Sequence, residues 1–331
     1  MTETKFDVVG IGNAIVDVLS NSDDDFIEKH NLIKSSMTIV DAETAERLYG
    51  FMDSSMEVSG GSAANTIACI ASVGGSGAFI GKVCQDQLGD VFTNDIRRAG
   101  VSYETKPDVD GDPTARCLIY VTPDAERTMQ TFLGACTALG PNDIDEQVII
   151  SSKVIYLEGY LYDPPQAKAA FIKAARLAKK AGRKVALSLS DPFCVDRHRR
   201  AFVDLVHNHV DILFANEDEI KSLYQVDIFD EALEKVRGNC DIIALTRGSQ
   251  GSIIVSGDET YVLLAEQAQD IVDTTGAGDS YAAGFLYGLT QGKDLKMCGR
   301  IGGVLAADII SNYGARSKND LKVVLSENLR G

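Results

Sequence analysis

The chain has 331 residues, of which 45% are hydrophobic, and its formal net charge is −16. This hydrophobic content is that of an ordinary globular protein with a sizeable core. A chain this acidic lacks the basic footprint of a general nucleic-acid-binding protein, and it contains no run of about 18 apolar residues that could span a membrane.

Cysteine and histidine spacing predicts neither disulfides nor a zinc site. The seven cysteines are scattered, and no two of them have Cys-x-x-Cys spacing. His207 and His209 are two residues apart, which would place them on different faces of a helix. The first residues also lack the charged-then-apolar layout of a signal peptide. We therefore expect a cytoplasmic protein with reduced thiols.

The first third of the chain is less regular than the rest. A strand is expected before Gly10 and a helix over residues 63–73, but residues 37–56 and 103–132 carry turn signals such as Asp-Gly-Asp-Pro. Residues 117–121 look like an isolated strand that cannot easily join a main sheet. These segments predict a small accessory sheet.

From residue 154 onward, short apolar runs alternate with helical stretches. Strands are predicted over residues 154–157, 185–189, 211–215, 242–246 and 252–255, with helices over residues 164–181, 195–206 and 218–224. A strand-like stretch at residues 270–272 precedes a helical pattern at Tyr281, Phe285 and Leu289.

This alternation predicts an α/β fold with a mostly parallel central sheet that is covered by helices on both faces. No internal repeat or low-complexity linker interrupts the sequence. We therefore expect one large α/β domain over residues 1–331. A small β-rich lid would be inserted into it from roughly residues 13–20, 35–60 and 103–132.

The segment Asp-Thr-Thr-Gly-Ala-Gly-Asp-Ser at residues 273–280 carries the sharpest chemical signal. Gly276, Ala277 and Gly278 stand at the start of the predicted helix, where unpaired N–H groups and the helix dipole attract an anion. Asp279 would lie beside that anion and could accept the proton of an attacking hydroxyl. A tight turn in which Asp279 only stabilises the helix dipole is the alternative.

Two other nucleotide-binding motifs do not fit the sequence. Residues 10–15 begin like a dinucleotide fingerprint, but Ile15 stands where a third glycine is needed for strand–helix packing. The sequence has no Gly-x-x-x-x-Gly-Lys-Ser/Thr string, which excludes a P-loop kinase.

Several segments, in order along nearly the whole chain, resemble the ribokinase-like (PfkB) family of kinases. Residues 273–279 are similar to its C-terminal signature, and Gly-Gly-Ser-Ala-Ala-Asn at residues 60–65 is similar to its N-terminal signature. Residues 81–89 are similar to its Gly-x-x-Gly-x-Asp-x-x-Gly segment, with Cys84 where a glycine is usual. Residues 216–219 match its Asn-x-x-Glu motif, and residues 246–251 resemble its nucleotide-binding turn.

The resemblance implies a ribokinase-like kinase that uses ATP and Mg²⁺ to phosphorylate a hydroxymethyl group. Asp279 would be the base, and Gly276, Ala277 and Gly278 would form the anion hole. Arg127 would be a lid arginine that reaches the phosphates, with an ordinary surface arginine as the alternative. The acceptor would contact Asn13, Asp17, Gly61, Ser62 and Asn65, although Asp17 alone could equally be a solvated loop residue.

Further roles follow from the same resemblance. ATP would be bound by Asn216, Thr246, Gly248, Gly251 and Thr275. Asn216 and Glu219 would hold Mg²⁺ through water, and one amide with one carboxylate suits this ion. A capping box at a helix start explains the same pair without a metal. K⁺ activation stays open, with Asp273, Thr275, Gly314 and Ser317 in the regions concerned.

Residues 187–193 and 210–217 resemble the adenosine kinase branch of this family more than its ribokinase or fructokinase branches. This implies the 5′-hydroxyl of adenosine as acceptor, giving AMP, with Phe193 against the purine; a core phenylalanine is the alternative. A kinase for ribose, fructose, 2-keto-3-deoxygluconate, inosine or guanosine would keep every motif. The expected partners are small molecules, with neither nucleic acid nor membrane, and a monomer or a homodimer fits equally.

Overall fold

The computed structural model describes residues 4–52, 55–124 and 126–329. Asp53, Ser54 and Ala125, which belong to the segments predicted as a lid, lie outside the described residues, as do residues 1–3 and 330–331 at the ends of the predicted domain. No helix in the described part of the chain is both long and apolar enough to cross a membrane.

Fourteen strands form among the described residues. They are β1 (Phe6–Ile11), β2 (Ile15–Asn21), β3 (Met37–Ile39), β4 (Met56–Gly60), β5 (Gly77–Ile80), β6 (Ser102–Tyr103), β7 (Ala115–Val121), β8 (Arg127–Phe132), β9 (Ser152–Glu158), β10 (Lys184–Ser188), β11 (Ile212–Asn216), β12 (Ile242–Thr246), β13 (Ser252–Ser256) and β14 (Glu259–Leu263).

The α-helices of the same residues are α1 (Asp24–Lys29), α2 (Ala42–Tyr49), α3 (Ser62–Ser72), α4 (Gln87–Arg98), α5 (Glu146–Ile150), α6 (Pro165–Lys180), α7 (Pro192–His209), α8 (Glu217–Tyr224), α9 (Phe229–Val236), α10 (Ala277–Thr290), α11 (Leu295–Ile309) and α12 (Leu321–Asn328). Pro165 and Pro192 lie at helix starts, where a missing N–H costs nothing.

The main sheet has nine strands in the order β14-β13-β12-β11-β10-β9-β1-β5-β6. All neighbours from β6 to β12 run parallel, and β13 runs antiparallel to both of its neighbours, β12 and β14. Successive residues of β9 point to opposite faces: Ile155 and Leu157 join one buried cluster, whereas Val154 and Tyr156 join the other. The first cluster includes side chains of α5 to α9, and the second those of α3, α4, α10 and α11. The predicted α/β class is confirmed.

A smaller sheet has the order β3-β8-β7-β2-β4. One face packs against α1 and α2, where Ile27 and Leu48 are buried and the Tyr120 hydroxyl donates to the Leu48 carbonyl. The predicted strand at residues 117–121 lies in this sheet, between β2 and β8. β6, at the start of the third predicted lid segment, belongs to the main sheet instead.

The sequence prediction was wrong at residues 270–272, which form no strand. Ile271 is exposed, and the Val272 N–H donates to the carbonyl of Ile310 beyond α11. A short stretch with two apolar residues needs a free sheet edge to become a strand, and here the backbone of Val272 is hydrogen-bonded to the segment after a helix instead. The other predicted strands and helices from residue 154 onward are present, with strand ends shifted by at most two residues.

Candidate active site

A cleft of ≈1030 Å³ separates the carboxyl ends of main-sheet strands from the inner face of the small sheet. Most of the predicted site residues line it, although they are widely separated in the sequence. The residues in the lining are Asn13, Asp17, Gly61, Ser62, Asn65, Phe193, Asn216, Glu219, Thr246, Gly248, Thr275, Gly276, Ala277, Gly278 and Asp279. Arg127, Gly251, Asp273, Gly314 and Ser317 lie outside the lining.

The start of α10 is part of the cleft lining. Gly276 is the N-cap with φ 78°, a left-handed conformation that glycine adopts without strain, and no side chain caps the helix there. A Cβ on Gly278 would meet no atom within 4 Å, so the space beside that residue is open. The Ala277 N–H donates to the Thr274 carbonyl at 3.2 Å. An anion that approaches this helix start would therefore meet backbone that no side chain caps.

Asp279 lies in the first turn of α10 and points towards α3. Its Oδ1 accepts a hydrogen bond from the Ser62 hydroxyl at 2.6 Å. Burial raises the pKa of Asp279 to about 6, hydrogen bonds from Ser62 and Asn65 oppose this rise, and the charge of Asp17 adds to it. A carboxylate with this pKa is ionised at neutral pH and still basic enough to take a proton, as a general base must be.

Asn13 lies directly after β1 and is held by a carboxylate that the sequence analysis missed. Oε1 of Glu158 accepts from the Asn13 side chain at 2.8 Å and from its N–H at 3.2 Å, and Oε2 accepts from the Ala63 N–H at 2.7 Å. Glu158 is fully buried, and burial raises its pKa to about 7. Its position at the carboxyl end of a buried parallel strand is the signal that could have identified it.

Asp17, on β2 of the small sheet, faces the cleft and is not a solvated loop residue. Burial raises its pKa to about 6, and the positive charges of Arg316 and Arg127 oppose that rise. Gly61, directly after β4, which pairs with β2, has φ 96°, and a Cβ there would lie 2.2 Å from the Asn13 carbonyl oxygen. Any other residue at position 61 would displace the Asn13 backbone.

Asn216 ends β11 and caps α8. Its Oδ1 accepts from the Glu219 N–H at 2.8 Å, while the Glu219 carboxylate accepts from the Asn216 N–H at 2.9 Å and side-chain amide at 2.6 Å. The capping box is therefore present. The pair still lines the cleft, and burial raises the pKa of Glu219 to about 7.

The surroundings of this pair fit a hydrated divalent cation. Burial raises the pKa of Tyr160, and the charges of Asp191, Asp279, Glu219 and Glu158 raise it further, so four carboxylates act on one point of the cleft. A nucleotide polyphosphate would be repelled there unless a cation came with it. The described residues contain no cluster of three or more acidic, histidine or cysteine ligands. Indirect binding through water is the mode that this donor set suits.

Arg127 joins the small sheet to the loop before α10. Its Nη1 pairs with Oδ2 of Asp273 and lies 3.3 Å from the Thr275 hydroxyl. The same Asp273 carboxylate accepts from the N–H groups of Thr275 and Gly314, both at 2.9 Å. With a side chain only 10% exposed, Arg127 is not an ordinary surface arginine. It stands next to the helix start at which an anion could bind.

The two walls of the cleft differ in polarity. Phe193, at the start of α7, is 73% exposed and therefore not a core phenylalanine. The small sheet presents mostly apolar side chains to the cleft: Ile15, Met37, Ile39, Cys117, Ile119 and Met129. At the far end, Thr246 ends β12 and Gly248 follows in a tight turn with φ 52°. Gly251 closes that turn, and its carbonyl accepts from the Arg247 N–H.

Comparison with known proteins matches residues 53–322 to the family described as pfkB family carbohydrate kinase. Two solved structures superpose with a TM-score of 0.90. A probable sugar kinase from Rhizobium etli CFN 42 is 48% identical and covers 98% of each chain. An adenosine kinase from Sinorhizobium meliloti is 47% identical and covers 98% of this chain and 99% of its own. The adenosine kinase of Saccharomyces cerevisiae is 27% identical over 93% of this chain and 95% of its own length.

Proposed function

Because the chain belongs to the pfkB family of carbohydrate kinases and is an ATP-dependent kinase, we propose that it transfers the γ-phosphoryl group of ATP to the 5′-hydroxyl of adenosine, giving AMP. The observation that carries this choice is that the cleft is lined both by apolar side chains of the small sheet and by the polar groups of Asn13, Asp17 and Asn65. A nucleoside has a polar ribose and a largely apolar base, so its two halves match these two kinds of lining.

In this proposal the ribose hydroxyls lie between Asn13, Asp17 and Asn65, and the 5′-hydroxyl points to Asp279. The Asp279 carboxylate accepts the hydroxyl proton as the oxygen attacks the γ-phosphorus, the bond from that phosphorus to the β,γ-bridging oxygen breaks, and ADP leaves. Backbone groups of Gly276 and Gly278, together with Arg127, stabilise the charge on the transferred phosphoryl. The wall of Met37, Ile119 and their neighbours, with Phe193, would surround the purine and exclude water.

ATP would lie along Asn216, Thr246, Gly248, Gly251 and Thr275. Asn216 and Glu219 would hold Mg²⁺ through its waters, and the ion supplies neutralisation of the polyphosphate charge when it is bound. The two segments considered for K⁺ lie together, since the Gly314 N–H donates to Asp273. The Asp273 carboxylate is already engaged by Arg127, so backbone oxygens of these segments, with Ser317, would have to provide K⁺ ligands.

A free sugar is the second candidate, and one observation favours it. Glu158 adds a buried carboxylate to the polar wall, and a carboxylate is a good acceptor for sugar hydroxyls. The R. etli relative, described as a probable sugar kinase, agrees with this candidate as well as the S. meliloti structure agrees with adenosine.

An ATP-consumption assay with Mg²⁺ over nucleosides and sugars separates the candidates. We expect kcat/KM for adenosine to exceed that for ribose, fructose or 2-keto-3-deoxygluconate at least about tenfold, which needs only about 1.4 kcal/mol of differential binding. Inosine and guanosine belong in the panel, and parallel runs in potassium and sodium salts test the monovalent cation. A sugar that matches adenosine would make this chain a sugar kinase.

Phe193→Ala tests the purine contact in the same assay. An aromatic contact contributes about 0.5–1.5 kcal/mol beyond burial, so the variant should lose about two- to tenfold in kcat/KM for adenosine and keep its activity towards any sugar. Tyr160→Phe is the matched control, since it keeps the ring in the cleft lining and removes only a hydroxyl. An equal loss for adenosine and for sugars would remove Phe193 from the purine site.

A further inference from the structure

An arginine without an assigned role lies behind the acceptor side of the cleft. Arg316 follows α11, and its side chain is 25% exposed. Its Nε donates to Oδ1 of Asn65 at 3.2 Å, and its Nη1 donates to Oδ2 of Asp95 at 3.1 Å. The guanidinium therefore connects a residue of the acceptor site on α3 to a carboxylate on α4.

Asp95 is itself fixed by the small sheet. Its Oδ2 accepts from the Ser59 N–H at 2.9 Å and from the Ser59 hydroxyl at 2.7 Å. Ser59 lies on β4, two residues before Gly61. The position of the Arg316 guanidinium is thus set by α3 and, through Asp95, by the small sheet, and the same network includes the strand that leads into the acceptor site.

The contact with Asn65 determines which way its amide points. A guanidinium can only donate, so the atom of Asn65 that faces Arg316 must be the carbonyl oxygen. The NH₂ group is then directed away from Arg316, and the Asn65 side chain favours the ionised form of the Asp279 carboxylate, lowering its pKa as a donor does. A flipped amide would offer its NH₂ group to Arg316, which cannot accept, and would lose the hydrogen bond between them.

The loop that carries Arg316 also supports the phosphoryl side of the site. The Gly314 N–H donates to Asp273, and a Cβ on Gly276 would lie 2.9 Å from Cα of Ala315. Three consecutive residues of this loop therefore contact the loop before α10, the start of α10 and α3. Arg316 also lies close enough to Asp17 for its charge to favour the ionised carboxylate.

We propose that Arg316 is a positioning residue of the acceptor site. Arg316 holds the Asn65 amide so that the NH₂ group faces Asp279, and it thereby fixes the orientation of the amide towards the substrate hydroxyls. The proposal rests on the proposed role of Asp279, but it applies to a nucleoside and to a free sugar alike. Arg316 touches neither substrate nor ATP in this role and acts through Asn65.

The test is a double-mutant cycle of Arg316→Met and Asn65→Ala, measured by steady-state kinetics with whichever acceptor the enzyme phosphorylates. Misplacement of a group at the reacting centre can cost about 10²-fold, so Arg316→Met should lower kcat by about that factor and leave the KM for ATP within about threefold. In the Asn65→Ala background, the same change should cost less than about threefold. Arg316→Lys, which keeps one donor, should recover part of the loss.

Arg300→Met is the matched control. Arg300 lies on α11 with a side chain 28% exposed, pairs with Glu266 and donates to the Asn328 carbonyl, and it lies outside the cleft lining. The Arg300→Met variant should keep the wild-type kcat. If Arg316→Met does not fold, Arg316→Lys replaces it in the cycle.

Equal losses for the Arg316 change in both Asn65 backgrounds, or a kcat of Arg316→Met near wild type, would overturn the positioning role. Asp279→Asn in the same series separates this outcome from a failure of the proposed function. If that variant keeps a tenth of the activity, the base assignment fails, while the coupling between Arg316 and Asn65 is still measured.

Discussion

Asp279→Asn tests both the chemistry and the electrostatics of the cleft. Burial raises the pKa of Asp279 from its ordinary 3.8 to about 6. This difference corresponds to roughly 3 kcal/mol by which the fold disfavours the ionised carboxylate relative to the unfolded chain. An amide in the same place carries no charge and does not incur this cost.

The sign of the effect follows from the raised pKa. A carboxyl group whose folded pKa is above its unfolded pKa adds stability below pH 3.8, and this contribution is lost as the pH rises through 6. At pH 8 the Asp279→Asn variant should therefore have a free energy of unfolding higher by up to roughly 3 kcal/mol. The difference should shrink towards pH 4. Turnover should meanwhile fall by about 10²–10⁴-fold or more, because the base is gone.

Urea unfolding at several pH values and the ATP-consumption assay measure the two effects separately. A variant that keeps a tenth of wild-type kcat would show that Asp279 is not the base. A variant no more stable than wild type at pH 8 would show that burial does not disfavour the ionised Asp279 carboxylate. Asp17→Asn provides the control: the Asp17 charge raises the pKa of Asp279, so its removal should move the acid limb of kcat/KM to lower pH if the acceptor still binds.

Two further variants test the phosphoryl side of the cleft. Gly278→Val should fold, because a Cβ there meets no atom, but should lose at least about 10²-fold in kcat by blocking the anion site; a folded variant with normal kcat would refute that site. Gly276→Ala is the contrasting variant. It should impair folding, because Gly276 has φ 78° and an added Cβ would clash with Ala315. Arg127→Ala should lower kcat and also the free energy of unfolding, because it leaves the buried Asp273 carboxylate without its ion-pair partner. Hydrogen exchange in β7 and β8 of the wild type should slow on binding; exchange unchanged by saturating substrate would contradict a moving lid.

Much of the main sheet could be predicted from sequence because its strands are short, apolar and separated by helices with clear ends. Residues 242–246 and 252–255 are buried on both faces of the sheet, and short apolar runs of this kind are typical of strands in the interior of an α/β fold. Residues 270–272 show the limit of this reasoning. Their apolar character matches a strand, but only tertiary contacts decide whether a partner strand lies beside them.

Some residues of the candidate site could likewise be predicted from the sequence, and others could not. Asp279 could be identified because its neighbours Gly276 to Gly278 form a local signal at a helix start. Glu158 lacks such a neighbourhood, since a single acidic residue after a strand is common in any sequence. Arg316 and Asp95 could not be paired in advance because they are 221 residues apart, and no local pattern marks the contact.

The cleft concentrates carboxylates in a way that core packing alone would not favour. Asp17, Glu158, Glu219 and Asp279 all have pKa values raised to about 6 or 7, with burial as the largest cause of each. A fold under selection for stability alone would replace such groups with apolar ones. Their retention on the walls of one cleft fits a site in which each carboxylate has a chemical task, and it explains why the protein places arginines at the edges of the cleft. A cation that arrives with ATP would offset the remaining negative charge, so nucleotide binding and charge neutralisation would occur together.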